Sequence, residues 1–192
     1  MQGGKMNLKI RLMQDEDLEQ VLAVYKRAFA GLPWHEDLSD EEVLRRWEEA
    51  FSLPGFRCFV AIDEDTDKLV GAHWHDLMSF ARLEAERGTN LWLWVHRQME
   101  RMSQFGCLII WERELVVDPK FSRQGIGTLL RKSFLKEKQK MAIPNLILTR
   151  LREDNIGSIK PAEQLGFQKT GIQKPASEEP FMHDYWYLLV NC

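Results

Sequence analysis

The chain has 192 residues and a formal net charge of −3 at pH 7, and 44% of its residues are hydrophobic and 29% charged. This length suits one domain with one core, and the composition excludes an intrinsically disordered chain. The slightly acidic balance argues against a nucleic-acid or membrane partner, and the apolar runs are too short to span a bilayer. Three scattered cysteines fit neither a disulfide framework nor a zinc ribbon, so a reducing cytoplasm is the expected location.

The first half of the chain predicts a strand, two helices and two further strands. Alternating apolar and charged residues indicate strands, whereas apolar residues at helical spacing indicate helices. Ser39 and Glu42 form a capping-box pattern at the start of the second helix, and Pro54 follows its end. The predicted elements cover residues 8–12, 18–29, 39–51, 57–62 and 68–75.

The second half of the chain alternates strands and helices. Residues 77–106 are less regular and are expected to be mostly helical, with a helix that begins near Asn90. The remaining predicted elements are a strand at 107–117, a helix at 127–141, a strand at 146–151, a helix at 159–165 and a strand at 185–190. Pro161 is expected to lie in the first turn of its helix. This order predicts an α/β fold whose mixed sheet of about six to seven strands has helices on both faces.

The most informative feature is the junction between the strand that ends at Val117 and the helix that follows it. Pro119 stops the strand, and Gly125 and Gly127 stand where the helix begins. Glycines let the backbone approach a ligand closely, and the unpaired N–H groups of a helix N-terminus attract anions. The junction therefore predicts a phosphate or pyrophosphate site, although two such glycines are also typical of a tight strand-to-helix turn.

The junction fits neither of two common nucleotide-binding motifs. A dinucleotide fingerprint requires a third glycine or alanine at the position of Leu130. A Walker loop requires Lys followed by Ser or Thr directly after its last glycine, and the chain lacks that pair there.

Residues 115–130 instead resemble motif A of the GNAT superfamily of N-acetyltransferases. That motif is a strand ending in V-x-P, followed by R/Q-x-x-G-x-G/A at the start of a helix. The matching residues are Val117, Pro119, Gly125 and Gly127. The chain departs from the motif at Ser122, where Arg or Gln is usual. Such loops hold the pyrophosphate largely through backbone N–H groups, so Arg123 and Gln124 are expected to compensate.

Residues 155–167 resemble motif B of the same family, N-x-x-A/S-x-x-x-Y-x-x-x-G-F. In the family, the asparagine contacts the pantetheine arm of the cosubstrate and the tyrosine protonates the departing thiolate. Asn155 matches the first position, but Ala162 stands where the tyrosine is usual. The resemblance covers nearly the whole chain except residues 77–106, and the two motifs in this order make it specific.

The resemblance implies one GNAT acetyltransferase domain over residues 1–192, with acetyl-CoA as the cosubstrate. Residues 8–76 form its N-terminal part, 77–106 a helical insertion, 107–167 the acetyl-CoA-binding core, and 168–192 the C-terminal strands. In the family, the acyl-pantetheine arm pairs with backbone groups of the motif A strand, where an N–H polarises the acetyl carbonyl. The positions implied to bind acetyl-CoA are Leu115, Val116, Val117, Ser122, Arg123, Gln124, Gly125, Ile126, Gly127, Thr128 and Asn155.

Glu112 and Glu114 are the candidates for the catalytic base. An ammonium has no lone pair, so a carboxylate has to remove a proton before the amine attacks. The two glutamates stand two residues apart on the motif A strand, which predicts that they share one face. Glu114 is preferred because it is closer to the expected transfer point. The alternative for either residue is an ion pair with an arginine or exposure to solvent.

Several other polar residues suggest binding chemistry. His73 and His75 are spaced to lie on one strand face, but no further metal ligand stands at a recognisable spacing, so no metal site is expected. Tyr185 is expected to pack within the last strand rather than to replace the motif B tyrosine. Acidic residues such as Glu36 and Asp76 favour a cationic acceptor.

The leading hypothesis is an acetyl-CoA-dependent N-acetyltransferase that acts on a primary amine of a small molecule or peptide, as a monomer or homodimer. One alternative is a non-catalytic acyl-CoA-binding module, in which Ala162 marks lost chemistry. A second alternative is an acetyltransferase of protein N-termini or lysines. Release of free thiol in the presence of an amine separates catalysis from binding alone.

Overall fold

The computed structural model describes residues 6–31, 33–101, 106–175 and 181–191. Within these residues the chain forms seven strands and six α-helices. The strands are β1 Leu8–Leu12, β2 Arg57–Asp63, β3 Lys68–Leu77, β4 Leu108–Val117, β5 Asn145–Arg152, β6 Gln168–Pro175 and β7 Met182–Val190. The helices are α1 Leu18–Ala30, α2 Asp40–Phe51, α3 Phe80–Arg87, α4 Thr89–Arg101, α5 Ile126–Gln139 and α6 Ile156–Gln164. Within the described part of the chain, no helix is both long enough and apolar enough to cross a membrane.

The strands form one mixed sheet in the order β1-β2-β3-β4-β5-β7-β6. β1 pairs antiparallel with β2, β4 pairs parallel with β5, and β7 pairs antiparallel with both β5 and β6. A parallel pair requires a crossover connection, which α5 provides between β4 and β5. The predicted α/β class with a mixed central sheet is confirmed.

The described residues group into two compact units. The first contains the chain up to Trp74 together with Glu114–Phe134, and the second contains His75–Arg113 and the chain from Leu135 onward. Both β3 and β4 contribute residues to each unit, because the boundary falls within these strands. The segment boundaries proposed from the sequence at residues 76, 106 and 167 stay predictions.

The core of the first unit contains one face of α1 and one face of α2. Ser39 caps α2, since its side chain accepts a hydrogen bond from the Glu42 N–H at 3.1 Å, as the capping-box pattern predicts. Aromatic rings fill much of this core, and the Trp47 ring meets the Trp74 ring edge-on at 5.4 Å. The buried residues of the two helices are Val21, Val24, Tyr25, Phe29, Val43, Trp47 and Ala50.

The core of the second unit contains α3 and α4 together with β4, β5 and β7. The described residues of the segment 77–106 are mostly helical, as expected, and the helix predicted to begin near Asn90 is α4, which begins at Thr89. α3 precedes it as a second helix, and residues 102–105 lie outside the described residues. Ser79 caps α3 by accepting from the Arg82 N–H, and Gly88 ends it with a φ of 92°. The buried core residues are Met78, Leu83, Leu91, Val95, Met99, Ile109, Trp111, Leu146, Leu148 and Tyr185.

The prediction that Pro161 lies in the first turn of its helix is wrong. α6 begins at Ile156, so Pro161 lies inside the helix. Proline lacks an N–H, and the helix therefore loses the hydrogen bond that residue 161 would donate to the Gly157 carbonyl. The Asn155 side chain starts the helix earlier than expected, because its Oδ1 accepts from the Ser158 N–H at 3.2 Å.

Candidate active site

β4 continues beyond its parallel ladder with β5. The ladder runs from Leu108, opposite Asn145, to Glu112, opposite Thr149. At its last pair, the Thr149 hydroxyl donates to the Glu112 carbonyl at 3.4 Å. β4 extends to Val117, so residues 113–117 lie beyond the ladder. Backbone groups on an unladdered strand edge require other partners, and an extended ligand is one of them.

Asp118 anchors the turn that follows β4. Its N–H donates to the Val70 carbonyl at 2.9 Å. Its carboxylate accepts from the Lys120 N–H at 3.0 Å and from the Nε of Arg27 at 2.8 Å. Because only 7% of the Asp118 side chain is exposed, these charge-assisted bonds hold the turn in one orientation relative to α1.

The loop that joins this turn to α5 is exposed and contains two residues in the left-handed region. Arg123 has a φ of 61° and Gly125 a φ of 80°. A Cβ added at Gly125 would meet no atom within 4 Å. Gly125 is therefore required for its backbone angle rather than for space.

α5 points its first N–H groups at this loop. Leu129 donates a helical hydrogen bond to the Gly125 carbonyl at 3.0 Å. The N–H groups of Ile126, Gly127 and Thr128 come before that bond, so they have no helix carbonyl one turn earlier. These donors and the positive end of the helix dipole make the N-terminus of α5 suited to a phosphate.

Close packing holds α5 against the sheet. A Cβ on Gly71 in β3 would lie 3.0 Å from the Val116 carbonyl oxygen and 3.1 Å and 3.2 Å from the Leu130 and Ile126 side chains. Glycine is thus required at position 71 because the helix and β4 approach it closely. A Cβ on Gly127 would lie 3.5 Å from the nearest side chain, an ordinary contact, so alanine would fit at that position.

Glu114 is half-buried and belongs to the first unit. Burial, together with the nearby Glu114 carboxylate, raises the pKa of Tyr25. The Tyr25 hydroxyl accepts from the Nη1 of Arg46 at 3.4 Å, and the same nitrogen donates to Glu36 at 2.8 Å. Glu114 is therefore close enough to this group of polar side chains for its charge to act on the Tyr25 hydroxyl.

Glu112 has different surroundings from Glu114. It is 2% exposed and lies within the paired part of β4, opposite Thr149. It belongs to the second unit, whereas Glu114 belongs to the first. That the two glutamates share one face, and that either of them is the base, stay predictions.

The motif B residues lie in and before α6. Asn155 is the N-cap of this helix. Asparagine is a preferred N-cap residue, but the sequence did not predict this role because the helix was expected to begin at residue 159. Its contact with the pantetheine arm stays a prediction. Ala162 is fully buried, so the position of the family tyrosine carries a methyl group within the packed part of α6.

The two histidines of β3 lie in the interior. His73 and His75 are both buried, and the His73 ring contacts the Phe134 ring at a centroid distance of 4.9 Å. Over the described ranges, no group of three or more His, Cys, Asp or Glu side chains is arranged to hold a metal ion. The packing of His73 against an aromatic ring agrees with a core position.

A comparison with protein families identifies the chain. The sequence profile of the acetyltransferase (GNAT) family matches residues 18–167, which is most of its length. The chain belongs to the GNAT acetyltransferase family. The resemblance inferred from motifs A and B is thereby confirmed, and acetyl-CoA is the cosubstrate of this family.

Solved structures of acetyltransferases share the fold of this GNAT protein at low sequence identity. The Escherichia coli ribosomal-protein-S18-alanine N-acetyltransferase is 15% identical, with a TM-score of 0.63 and coverage of 97% of this chain and 96% of that one. Arabidopsis thaliana NAA60, in complex with a bisubstrate analogue, is 12% identical, with a TM-score of 0.68 and coverage of 96% and 99%. The Sinorhizobium meliloti phosphinothricin acetyltransferase in complex with AcCoA is 15% identical, with a TM-score of 0.64 and coverage of 96% and 89%. No curated protein sequence matches the chain.

Two structural features of this GNAT protein were not found by sequence reasoning. A lone glycine inside a strand pattern indicates a close backbone approach, so Gly71 was recognisable in principle. The ion pair between Arg27 and Asp118 joins residues 91 positions apart in the chain, and no local pattern indicates it. Both features help to hold the loop that precedes α5.

Proposed function

We propose that this chain transfers the acetyl group of acetyl-CoA to a primary amine of a small molecule or peptide. One observation carries the proposal. In a member of the GNAT family, the motif A glycine adopts a left-handed conformation directly before α5, whose first N–H groups face the exposed loop. Helix N-termini of this kind bind phosphate groups, and acetyl-CoA carries a pyrophosphate.

The proposed reaction is a direct transfer in a ternary complex. Acetyl-CoA supplies the acetyl group as a thioester, so a C–N bond forms to the acceptor amine, the C–S bond breaks, and CoA leaves with the electron pair and ends as a thiol. Backbone groups of residues 113–117 would bind the acyl-pantetheine arm, because they lie beyond the ladder with β5.

Glu114 is the proposed general base. Its side chain is half-buried and its charge acts on the Tyr25 hydroxyl, so a base at this position is partly shielded from bulk water. The proton that it takes from the ammonium frees the lone pair for attack. Ala162 offers no acid, so the thiolate, a good leaving group, would take its proton from water.

The same alanine favours one rival function. A protein that binds acyl-CoA without catalysis would keep the loop before α5 and have no need for an acid at position 162. The two functions differ in turnover, since only the enzyme releases free thiol when both acetyl-CoA and an amine are present.

Isothermal titration with acetyl-CoA tests the proposed cosubstrate site. Gly125→Glu places a negative side chain at the loop and strains a backbone with a φ of 80°. We expect the native protein to bind acetyl-CoA and this variant to lose at least tenfold in affinity, because like charges repel and the loop changes shape.

Gly171→Glu is the matched control for that titration. Gly171 also has a φ of 80° and open space around the position of its Cβ, but it lies in β6. This variant carries the same backbone strain and the same added charge, so it is expected to bind acetyl-CoA as the native protein does. Absence of binding by the native protein would refute the proposed function, and equal losses in both variants would refute the assigned site.

A further inference from the structure

The β4–β5 ladder ends at a pair of arginines. Arg113 follows Glu112, and Arg150 follows Thr149, which are the last paired residues of the two strands. Arg150 stands opposite Tyr185 in the antiparallel register of β5 and β7. The arginines therefore lie where β4 leaves its ladder, and Arg113 directly precedes the proposed base, Glu114.

Two carboxylates of the second unit are already bound by guanidinium groups. Asp76 is fully buried and accepts from Arg113 at 2.5 Å and from Arg82 at 2.8 Å. Glu86 accepts from Arg82 at 2.8 Å and lies 3.6 Å from the Nη2 of Arg113. Asp76 therefore does not favour a cationic acceptor as the sequence suggested, because arginines neutralise its charge within the fold.

Arg87 brings further positive charge to the same place. Its guanidinium lies 4.2 Å from the centroid of the Trp111 ring, and its contact with a carboxylate oxygen of Glu86 is long, at 3.5 Å. Burial first, and then the neighbouring Arg150, lower the pKa of Arg87 to about 10, so the group stays charged at pH 7. Its buried Nε has no hydrogen-bond partner within the described part of the chain.

Tyr185, which stands opposite Arg150, contributes a buried hydroxyl group. The residue is 1% exposed, and its hydroxyl is buried without a hydrogen-bond partner over the ranges that the structure describes. Arg87 stacks on the Trp111 ring, whose centroid lies 6.1 Å from that of the Tyr185 ring, and Arg150 stands opposite Tyr185 on the neighbouring strand. Burial raises the pKa of Tyr185, and the Arg87 and Arg150 guanidiniums act in the opposite direction. A buried donor without a partner costs free energy, and a ligand that binds it would recover that cost.

We propose that Arg87, Arg150 and the Tyr185 hydroxyl bind the carboxylate of the acceptor, so that the acceptor is an amino acid. This inference rests on the proposed acetyl transfer. Among the described residues, the Arg87–Arg150 cluster consists of the Asp76 and Glu86 carboxylates, the three guanidiniums of Arg82, Arg87 and Arg113 that contact them, and Arg150, which stands opposite Tyr185. Its guanidiniums outnumber its carboxylates, which favours an anion. The planar edge of a guanidinium that stacks on Trp111 suits a carboxylate, which it binds through two parallel N–H donors.

An amino acid carries both groups that this proposal requires. It has an amine that can be acetylated and, one carbon away, a carboxylate that guanidinium groups can bind.

The test compares each of the twenty standard amino acids with its own carboxamide. Free-thiol release gives kcat and KM for each acceptor, and calorimetry gives binding without turnover. We expect at least one amino acid to be preferred over its carboxamide by about tenfold or more, since a hydrogen bond to a charged group is worth that factor.

Three variants assign that preference to residues. Tyr185→Phe removes a hydroxyl that has no partner, so it should leave the midpoint of unfolding unchanged while raising KM for the amino acid about tenfold. Arg150→Gln should act in the same direction. Arg97→Gln, on the exposed side of α4, is the control and should change neither KM nor the preference.

Each outcome decides between the two proposals. Binding that distinguishes acid from carboxamide without thiol release would support the carboxylate site and refute acetyl transfer. Equal kcat/KM for the amino acids and their carboxamides would overturn the carboxylate site. Absence of binding by every amino acid would also overturn it. Loss of acetyl-CoA binding in Arg150→Gln would assign the cluster to the cosubstrate and also overturn it.

Discussion

Glu112 and Glu114 carry the same functional group, and the structure gives them different surroundings. Glu112 is 2% exposed in the paired part of β4, whereas Glu114 is half-buried near the Tyr25 hydroxyl. A base has to exchange its proton with the acceptor and then with water. Partial exposure favours Glu114 for that role.

We predict that Glu114→Gln lowers kcat/KM for the amine by about 10²- to 10⁴-fold, the usual contribution of general base catalysis. The amide cannot accept the proton, but it keeps nearly the same shape. The loss should shrink as the pH rises toward the pKa of the acceptor amine, because the bulk solution then supplies the neutral amine. Thiol-release rates between pH 6 and pH 10 measure this.

Two comparison variants make that prediction specific. Glu163→Gln, at an exposed position of α6, should leave the pH profile unchanged. Glu112→Gln distinguishes the two candidates, and a larger loss in that variant than in Glu114→Gln would move the role of base to Glu112.

The strand, loop and helix of motif A act together as one element. Asp118 holds the start of the loop through Arg27 and the backbone of Val70, and Gly71 lets α5 approach the sheet. The loop is therefore held at both ends, although its own residues are exposed. A rigid support for an exposed loop is how phosphate-binding loops keep their N–H groups oriented.

We predict that Gly71→Ala destabilises the protein by about 1–3 kcal/mol, the usual cost of inserting a methyl group where there is no room. The added Cβ would lie 3.0 Å from a backbone oxygen, which cannot rotate away as a side chain does. α5 would have to shift, so the affinity for acetyl-CoA should fall as well. The urea midpoint and the acetyl-CoA titration measure the two effects.

Gly106→Ala is the control for the methyl group itself. Gly106 is exposed, and a Cβ there would meet no atom within 4 Å. The free energy of unfolding of the Gly106→Ala variant should differ from that of the native protein by no more than about 0.5 kcal/mol. Equal destabilisation by the two substitutions would contradict the packing argument for Gly71.

At the scale of the whole molecule, the two compact units share two strands. β3 and β4 each run through the unit boundary without a break in the strand. Flexible linkers usually separate domains that unfold independently, and the boundary here falls within strands instead.

We predict that the protein unfolds in urea in one cooperative transition. Shared strands oppose independent unfolding, because melting β3 or β4 in one unit removes strand residues from the other. Far-UV circular dichroism and tryptophan fluorescence should give the same midpoint, since Trp47 and Trp74 lie in the core of the first unit and Trp111 in that of the second. Two separated midpoints would show that the units are independent domains.

The sequence by itself determined the family, the α/β class and most of the elements. Hydrophobic periodicity is a local property, so it predicted the first two helices and the strand of motif A. The motif glycines were also recognisable locally, because a left-handed turn before a helix requires glycine at position 125 whatever surrounds it. The first turn of α6 was not recognised, because Pro161 indicated that the helix begins close to that residue. In the structure, the Asn155 cap starts the helix at Ile156 and the proline is accommodated inside it.

Only the tertiary structure decided which charges are available to a ligand. Asp76 counts as an acidic residue in the sequence, but Arg82 and Arg113 neutralise it within the fold. Arg87 and Arg150 are 63 positions apart in the chain, and only the folded chain brings their charges together. Electrostatic energy depends on distance and burial rather than on order along the chain, so no sequence pattern indicated the proposed carboxylate site.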